Sequence, residues 1–290
     1  MTDTSTLRIL EPASGVFAYY DGRVPGVRLH SAAANWLDDG AYSLGIASYA
    51  VANGREAIVF DSHISIDHAR AVRNHLEGLG VTRFTLVLSH WHDDHVAGNA
   101  VFADGPIVAH RLTRNALTAN RDKLENGDPP IRPLVLPTEI FDDGLTFSVG
   151  DRTVEAMHFA IHSADGVVLR LADVGLLLAG DVVEDTITYI SEAEQTPKHV
   201  AELGRLAALP FRRILPAHGA PERIAAGGYD SRIITANRDY LRRLLAGEGR
   251  DGTPLSTFVA DDVAAGRIGY FEPYEAIHQA NLKALAAAGL

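Results

Sequence analysis

Short runs of β-branched and leucine residues recur along the chain, each closed by a turn and most followed by apolar residues at helical spacing. That alternation predicts an α/β fold. Residues 43–51 and 57–60 read as neighbouring strands joined at Asn53-Gly54, a dipeptide that tolerates the positive φ of a tight hairpin. Ile66, Ala69, Val72, Leu76 and Leu79 repeat at helical spacing and predict a helix over 65–79, with the next strand at 84–88. Residues 99–102 and 107–109 sit among turns, and 113–124 reads as a helix. The stretch 125–137 collects Asn126-Gly127-Asp128-Pro129-Pro130 and two further prolines, which predicts a long loop or a boundary between halves. Beyond it, 145–149 and 153–157 form a hairpin across Gly150-Asp151, followed by strands at 167–171, 176–178 and 213–215. Helices are expected at 199–209, 231–245 and 274–290. No internal repeat interrupts this order.

Composition narrows the class. With 290 residues, 47% hydrophobic and 22% charged, the chain can bury a large core, and α/β proteins of this length often fold as one unit. The reading is one domain over 1–290, its core about 41–225 and a helical C-terminal segment about 229–290. A net charge of −11 with scattered Lys and Arg weakens attraction to nucleic acid or anionic lipid. The N-terminus opens polar and acidic, and the longest uncharged stretch, 41–53, is too short to span a bilayer. A cytoplasmic protein acting on a small molecule is expected, with neither membrane nor nucleic acid as partner; the oligomeric state is unreadable. Cysteine is absent, so any metal must be held by nitrogen and oxygen.

The central chemical signal is His90-Trp91-His92-Asp93-Asp94-His95, directly after the strand ending at Leu88-Ser89. Alternate residues leaving a strand point the same way, so His90 and His92 can grip one metal while Asp94 and His95 turn toward a second. Four more metal-type residues follow apolar strands in the same manner: Asp61, His162, Asp181 and His218. Strand exits from several strands converge on one rim of a sheet, and the repetition carries the weight. His158, four residues before His162, competes with it as a ligand.

These residues resemble the metallo-β-lactamase superfamily over about 41–219, through His-x-His-x-Asp-His, the isolated His162, Gly180-Asp181 and Pro216-Ala217-His218-Gly219. The resemblance implies an αββα sandwich: two mixed β-sheets flanked by helices, metals at one edge. Carried over by position, His90, His92 and His162 hold one zinc, and Asp94, His95 and His218 the other. Asp181 bridges them, with Asp61 beneath as support for a ligand imidazole. Two Zn(2+) are implied, with iron or manganese as alternatives. An aspartate at the bridging position, where some lactamases have cysteine, is nearer the glyoxalase II and lactonase type of site. Many relatives carry Pro-Gly where this chain has Ala160-Ile161, and Glu184 stands close to where lactonases place a tyrosine.

The implied chemistry is hydrolysis of a small ester, lactone, thioester or lactam by a metal-bridging hydroxide attacking a carbonyl, with Asp94 orienting that hydroxide. Competing readings are a β-lactamase as main activity, an iron-dependent oxygenase resembling persulfide dioxygenase, and a phosphodiesterase like ribonuclease Z. Trp36, His63 and Tyr189 are candidates for the substrate pocket, with 35–40 as a flap over the metals. Trp91 alternates away from His90 and His92, so packing is expected of it.

Overall fold

The period of two in the apolar strands sorts their side chains onto opposite faces, and the computed structural model, which describes residues 2–290, collects those strands into two sheets. The first has the order β1 (Arg8–Ala13), β2 (Val16–Asp21), β3 (Ile46–Asn53), β4 (Glu56–Phe60), β5 (Arg83–Val87), β6 (Ile107–His110), β7 (Glu139–Phe141). Neighbours from β1 to β4 are antiparallel, and those from β4 to β7 parallel. The second sheet contains β8 (Gly144–Val149), β9 (Arg152–His158), β10 (Val167–Leu171), β11 (Leu176–Gly180) and β12 (Arg213–Pro216) in sequence order across the sheet. Only β11 and β12 run parallel within it.

Between the sheets, Tyr49, Val51, Ile58, Phe60 and Val87 meet Val154, Val167, Leu169, Leu178 and Leu215. The intervening residues face outward. Val59, Leu86 and Leu88 pack on Ala69, Val72 and Leu76 of the helix Ile66–Gly78. On the opposite face Val168, Leu177 and Ala179 pack on Leu203 and Leu206 of Thr196–Ala207 and on Ile233 and Leu241 of Arg232–Leu245. These four layers are the expected αββα sandwich. The C-terminal helix Tyr274–Ala287 joins the same outer layer through Tyr274 and Leu285.

Several expectations need correction. The hairpin β1–β2 precedes the expected start of the core, and its Val16, Ala18 and Tyr20 lie between the sheets. The helix expected over 113–124 divides at Asn120 into Arg111–Ala119 and Arg121–Glu125. The proline-rich loop is no boundary between halves, since the chain returns from it into β7, which pairs with β6. The change of sheet comes at Asp142-Asp143, between β7 and β8.

Because β4, β5, β11 and β12 end at the same side of the sandwich, their exits form one rim. Backbone bonds tie the sheets together there: Ala47 N–H donates to the Ala217 carbonyl at 2.9 Å and Val167 N–H to that of Ser89 at 2.8 Å.

Candidate metal centre

Each exit delivers a polar side chain to this rim. Asp61 follows β4, the His90–His95 segment follows β5, His162 lies between β9 and β10, Asp181 follows β11 and His218 follows β12. Asp61 and His162 adopt left-handed backbone, φ 67° and 65°, a conformation costly for residues with a Cβ and concentrated at functional sites. Gly180 permits the close approach behind them: a Cβ there would stand 2.7 Å from the Ser89 Cβ, at φ +53°.

The geometry resolves into two linked groups. Nε2 of His90 and Nε2 of His162 each lie 2.9 Å from Nδ1 of His92. The second group joins Asp94, His95 and His218, with His218 Nε2 at 3.3 Å and His95 Nε2 at 3.6 Å from the Asp94 carboxylate. Asp181 Oδ2 stands between them, 3.2 Å from Nε2 of His95, 3.5 Å from His218, 3.6 Å from His90 and 3.7 Å from His162. All seven side chains expected to ligate metal are thus brought together.

The far nitrogens are fixed by partners. His95 Nδ1–H donates to Asp61 at 2.8 Å, His162 Nδ1–H to the Tyr189 carbonyl at 3.1 Å, and His218 Nδ1–H to the Gly45 carbonyl at 2.7 Å. His90 Nδ1–H donates to Ser89 Oγ at 2.9 Å, which passes its own proton to Asp61 at 2.7 Å. Four imidazoles therefore turn Nε2 inward, the arrangement in which histidine, once that nitrogen is deprotonated, binds metal. Around His92 three ring nitrogens share one point, and a single Nδ1 proton can serve only one neighbour. Asp181 Oδ1 is buried without a hydrogen-bond partner. Converging lone pairs and an unpartnered carboxylate oxygen fit cations, and the all-nitrogen-and-oxygen donor set fits zinc, iron or manganese.

Protonation follows the same division. Burial, reinforced by neighbouring imidazoles, holds His90 well below the ordinary histidine range and His92 at about 3. For His95 and His218 burial is again the largest single influence and acts downward, but the surrounding carboxylates, Asp181 and Asp94 foremost, together outweigh it and raise both. Burial opposes ionisation of Asp181 and Asp94, yet His95 and His218 together hold Asp181 well down and Asp94 at about 2.

A cleft of about 570 Å³ opens onto the centre, lined by Trp36, Trp91, Tyr189 and Ile277 among others. Trp36 and Tyr189 thus both line this cleft. The 35–40 segment forms one wall, continuing into a wide helical turn over Trp36–Tyr42 that is tied down by the Trp36 Nε1–H bond to the Pro129 carbonyl at 2.8 Å. His63 lies elsewhere: it is fully buried, stacks on His68 at 4.8 Å and donates to the Tyr19 carbonyl. Trp91 packs as expected but also faces the cleft. His158 is turned away, donating to the Ala164 carbonyl at 2.8 Å and stacking on His110 at 4.0 Å.

Sequence reasoning missed the function of Glu184. It is buried beside the cleft, accepts from Tyr189 N–H at 2.8 Å and from Tyr274 Oη at 3.0 Å, and burial pushes its carboxyl up to about 8. It therefore connects the C-terminal helix to the loop that orients His162. Nothing in the local pattern marked it except an acid among apolar and threonine residues. Ser89 was passed over as well, although it adjoins the histidine run.

The family model described as "Metallo-beta-lactamase superfamily" matches residues 42–218. "Lactamase-like protein vrtG" of Penicillium aethiopicum is 29% identical over 179 residues, 61% of this chain and 52% of that protein. An "Atrochrysone carboxyl ACP thioesterase" of Aspergillus terreus is 28% identical over 177 residues, 61% of this chain and 50% of that protein. The chain spans about half the length of these curated relatives. Among solved structures, "Metallo-beta-lactamase from Pontibacter korlensis" superposes with a TM-score of 0.63 at 18% identity, covering 81% of this chain and 99% of that one.

Proposed function

This chain belongs to the metallo-β-lactamase superfamily, and from that premise we propose that it is a metal-dependent hydrolase of acyl thioesters. The carrying observation is the position of Asp181 Oδ2, within 3.7 Å of four imidazole nitrogens delivered by three separate segments of the chain. Thioester is chosen among the carbonyl substrates because relatives matching over this domain are named as acyl-carrier thioesterases.

His90, His92 and His162 would hold one metal, Asp94, His95 and His218 the other, and Asp181 both. Two zinc ions are proposed. When bound, such ions supply hydroxide at neutral pH and polarise a carbonyl oxygen. The remaining work belongs to the chain. Asp61, through His95 and Ser89, keeps the imidazole lone pairs aimed inward. Asp94, at the cleft floor and 16% exposed, orients the attacking oxygen. Trp36, Leu44, Trp91 and Ile277 shelter the acyl group and exclude water from the reacting carbonyl.

The test is a screen of purified protein of measured metal content against acyl thioesters, lactones, β-lactams and phosphodiesters, before and after chelation. Thioester cleavage that chelation abolishes and zinc restores is expected. A preparation of full zinc content that cleaves lactams or phosphodiesters but no thioester would refute the substrate assignment; cleavage insensitive to metal would refute the mechanism.

A further inference from the structure

Most of the cleft's charge is negative or already engaged. Asp93, Asp94, Asp181 and Glu184 line it, and its histidines face the metal positions. Lys123 is the single lysine or arginine among the lining residues. Its backbone lies in the short helix Arg121–Glu125, anchored by buried Leu124, whose carbonyl accepts from Ile131 N–H at 2.9 Å. On that helix Arg121 and Glu125 satisfy each other at 2.6 Å. Lys123, by contrast, makes no ion pair within 4.0 Å among the described residues, although its charge reaches the Asp93 carboxylate; its Nζ rests 5.2 Å from the centre of the Trp91 ring. The opposite relation of Trp91 is to the metal centre, its ring 4.9 Å from that of His92.

A cation placed over an aromatic face is held in direction without being neutralised. Its hydrogen-bond donors are left for an incoming group, on a wall shared with His92. A neutral acyl chain would gain nothing from it. We propose that Lys123 is the anion-recognising residue of the cleft, so that the substrate carries a carboxylate or phosphate away from the scissile thioester. This rests on the thioesterase reading. Two sources fit the chemistry: a second carboxylate on the acyl group, or the phosphate of a pantetheine arm.

Thioether analogues, which cannot be hydrolysed, separate the questions. Calorimetry on the metal-loaded protein would compare an S-alkyl coenzyme A, an N-acetylcysteamine thioether ending in a carboxylate, and the neutral N-acetylcysteamine thioether of equal length. The ratio of anionic to neutral affinity should fall about five- to tenfold in K123M, recover in K123R, and shrink with added salt. With the corresponding thioesters the same loss should appear in KM rather than kcat. A change confined to the coenzyme A ligand assigns the phosphate, and one confined to the acid-ended ligand assigns the acyl carboxylate. Equal ratios in wild type and K123M for both ligands would overturn the proposal. If no thioester is hydrolysed yet the affinity ratio still depends on Lys123, the thioesterase reading falls and the anion site stands.

Discussion

Substituting Asp61 by asparagine tests whether the carboxylate beneath the rim sets the metal centre. Asp61 Oδ1 accepts from the Ser89 backbone N–H at 2.7 Å, which fixes where an amide oxygen must lie in the variant. The amide nitrogen then takes the place of Oδ2, which now accepts from Ser89 Oγ at 2.7 Å and from His95 Nδ1–H at 2.8 Å. An N–H aimed at His95 Nδ1 favours the tautomer with its proton on Nε2, the atom that faces Asp181 and the second proposed metal position. Binding there must first break that bond and leave a buried donor unpaired, a cost of about 1–3 kcal/mol, or roughly 5- to 150-fold in affinity. Loss of an outer carboxylate partner typically weakens metal binding about 10- to 100-fold, in the same range. His90 is reached from Asp61 only through Ser89 Oγ, and His162 and His92 have no bond to Asp61 or Ser89, so the first site should change much less. Zinc titration against a chromophoric chelator should therefore give one near-native and one weakened equivalent, with circular dichroism unchanged. Two native-like constants, or equal weakening of both, would refute the tautomer argument.

Other perturbations read separate parts of the structure. Gly180→Ala places a Cβ 2.7 Å from that of Ser89 at a left-handed φ, and urea unfolding should show a loss of about 2 kcal/mol or more. His162→Ala should lose one metal equivalent by elemental analysis while His158→Ala, altering a residue engaged with Ala164 and His110, keeps both. Asp165 is buried with one carboxyl oxygen unpartnered, and burial pushes it up to about 6. Between about pH 4 and 6 the folded protein then holds a proton the unfolded chain has released, so this residue's contribution to stability declines as pH rises through that window, by at most about 3 kcal/mol. Asp165→Asn should remove that decline, and unfolding curves for the two proteins that stay parallel from pH 4 to 8 would contradict it.

The layers and the ligand set were legible because each rests on a local rule. Alternation in Ala57-Ile58-Val59-Phe60 dictates which side chains enter the inter-sheet core, and strand exits dictate where Asp61, His90, Asp181 and His218 emerge. Choosing His162 over His158 was harder, since His158 ends β9 and His162 follows it by only four residues; a left-handed backbone at His162 decides it by turning that imidazole inward. The β1–β2 hairpin was passed over because Arg8, Glu11 and Pro12 interrupt the apolar pattern of its edge strand β1. Lys123, Ile277 and Ala280 could not be placed at the cleft from spacing, because their proximity arises from the packing of helices distant in sequence. His63 followed the rule of strand exits and still missed the site: two residues past Asp61 its own φ of 68° turns it behind β2, against His68.

The candidate metal centre is also the seam between the two sheets. His90, His92, Asp94 and His95 come from the first sheet's side of the rim, and His162, Asp181 and His218 from the second. Their donor atoms meet only if the sheets keep their mutual position, which the Ala47–Ala217 and Val167–Ser89 backbone bonds and the Tyr49 Oη–H bond to the Pro216 carbonyl at 2.5 Å maintain. Gly180 lets the seam close, and Asp61 grips Ser89 directly beside it. Apolar layers alone would tolerate small sliding of one sheet over the other, because hydrophobic burial is not directional. Directed bonds concentrated at this one rim supply the precision that ligand geometry demands, and they explain why polar side chains are buried here rather than at the opposite end of the strands.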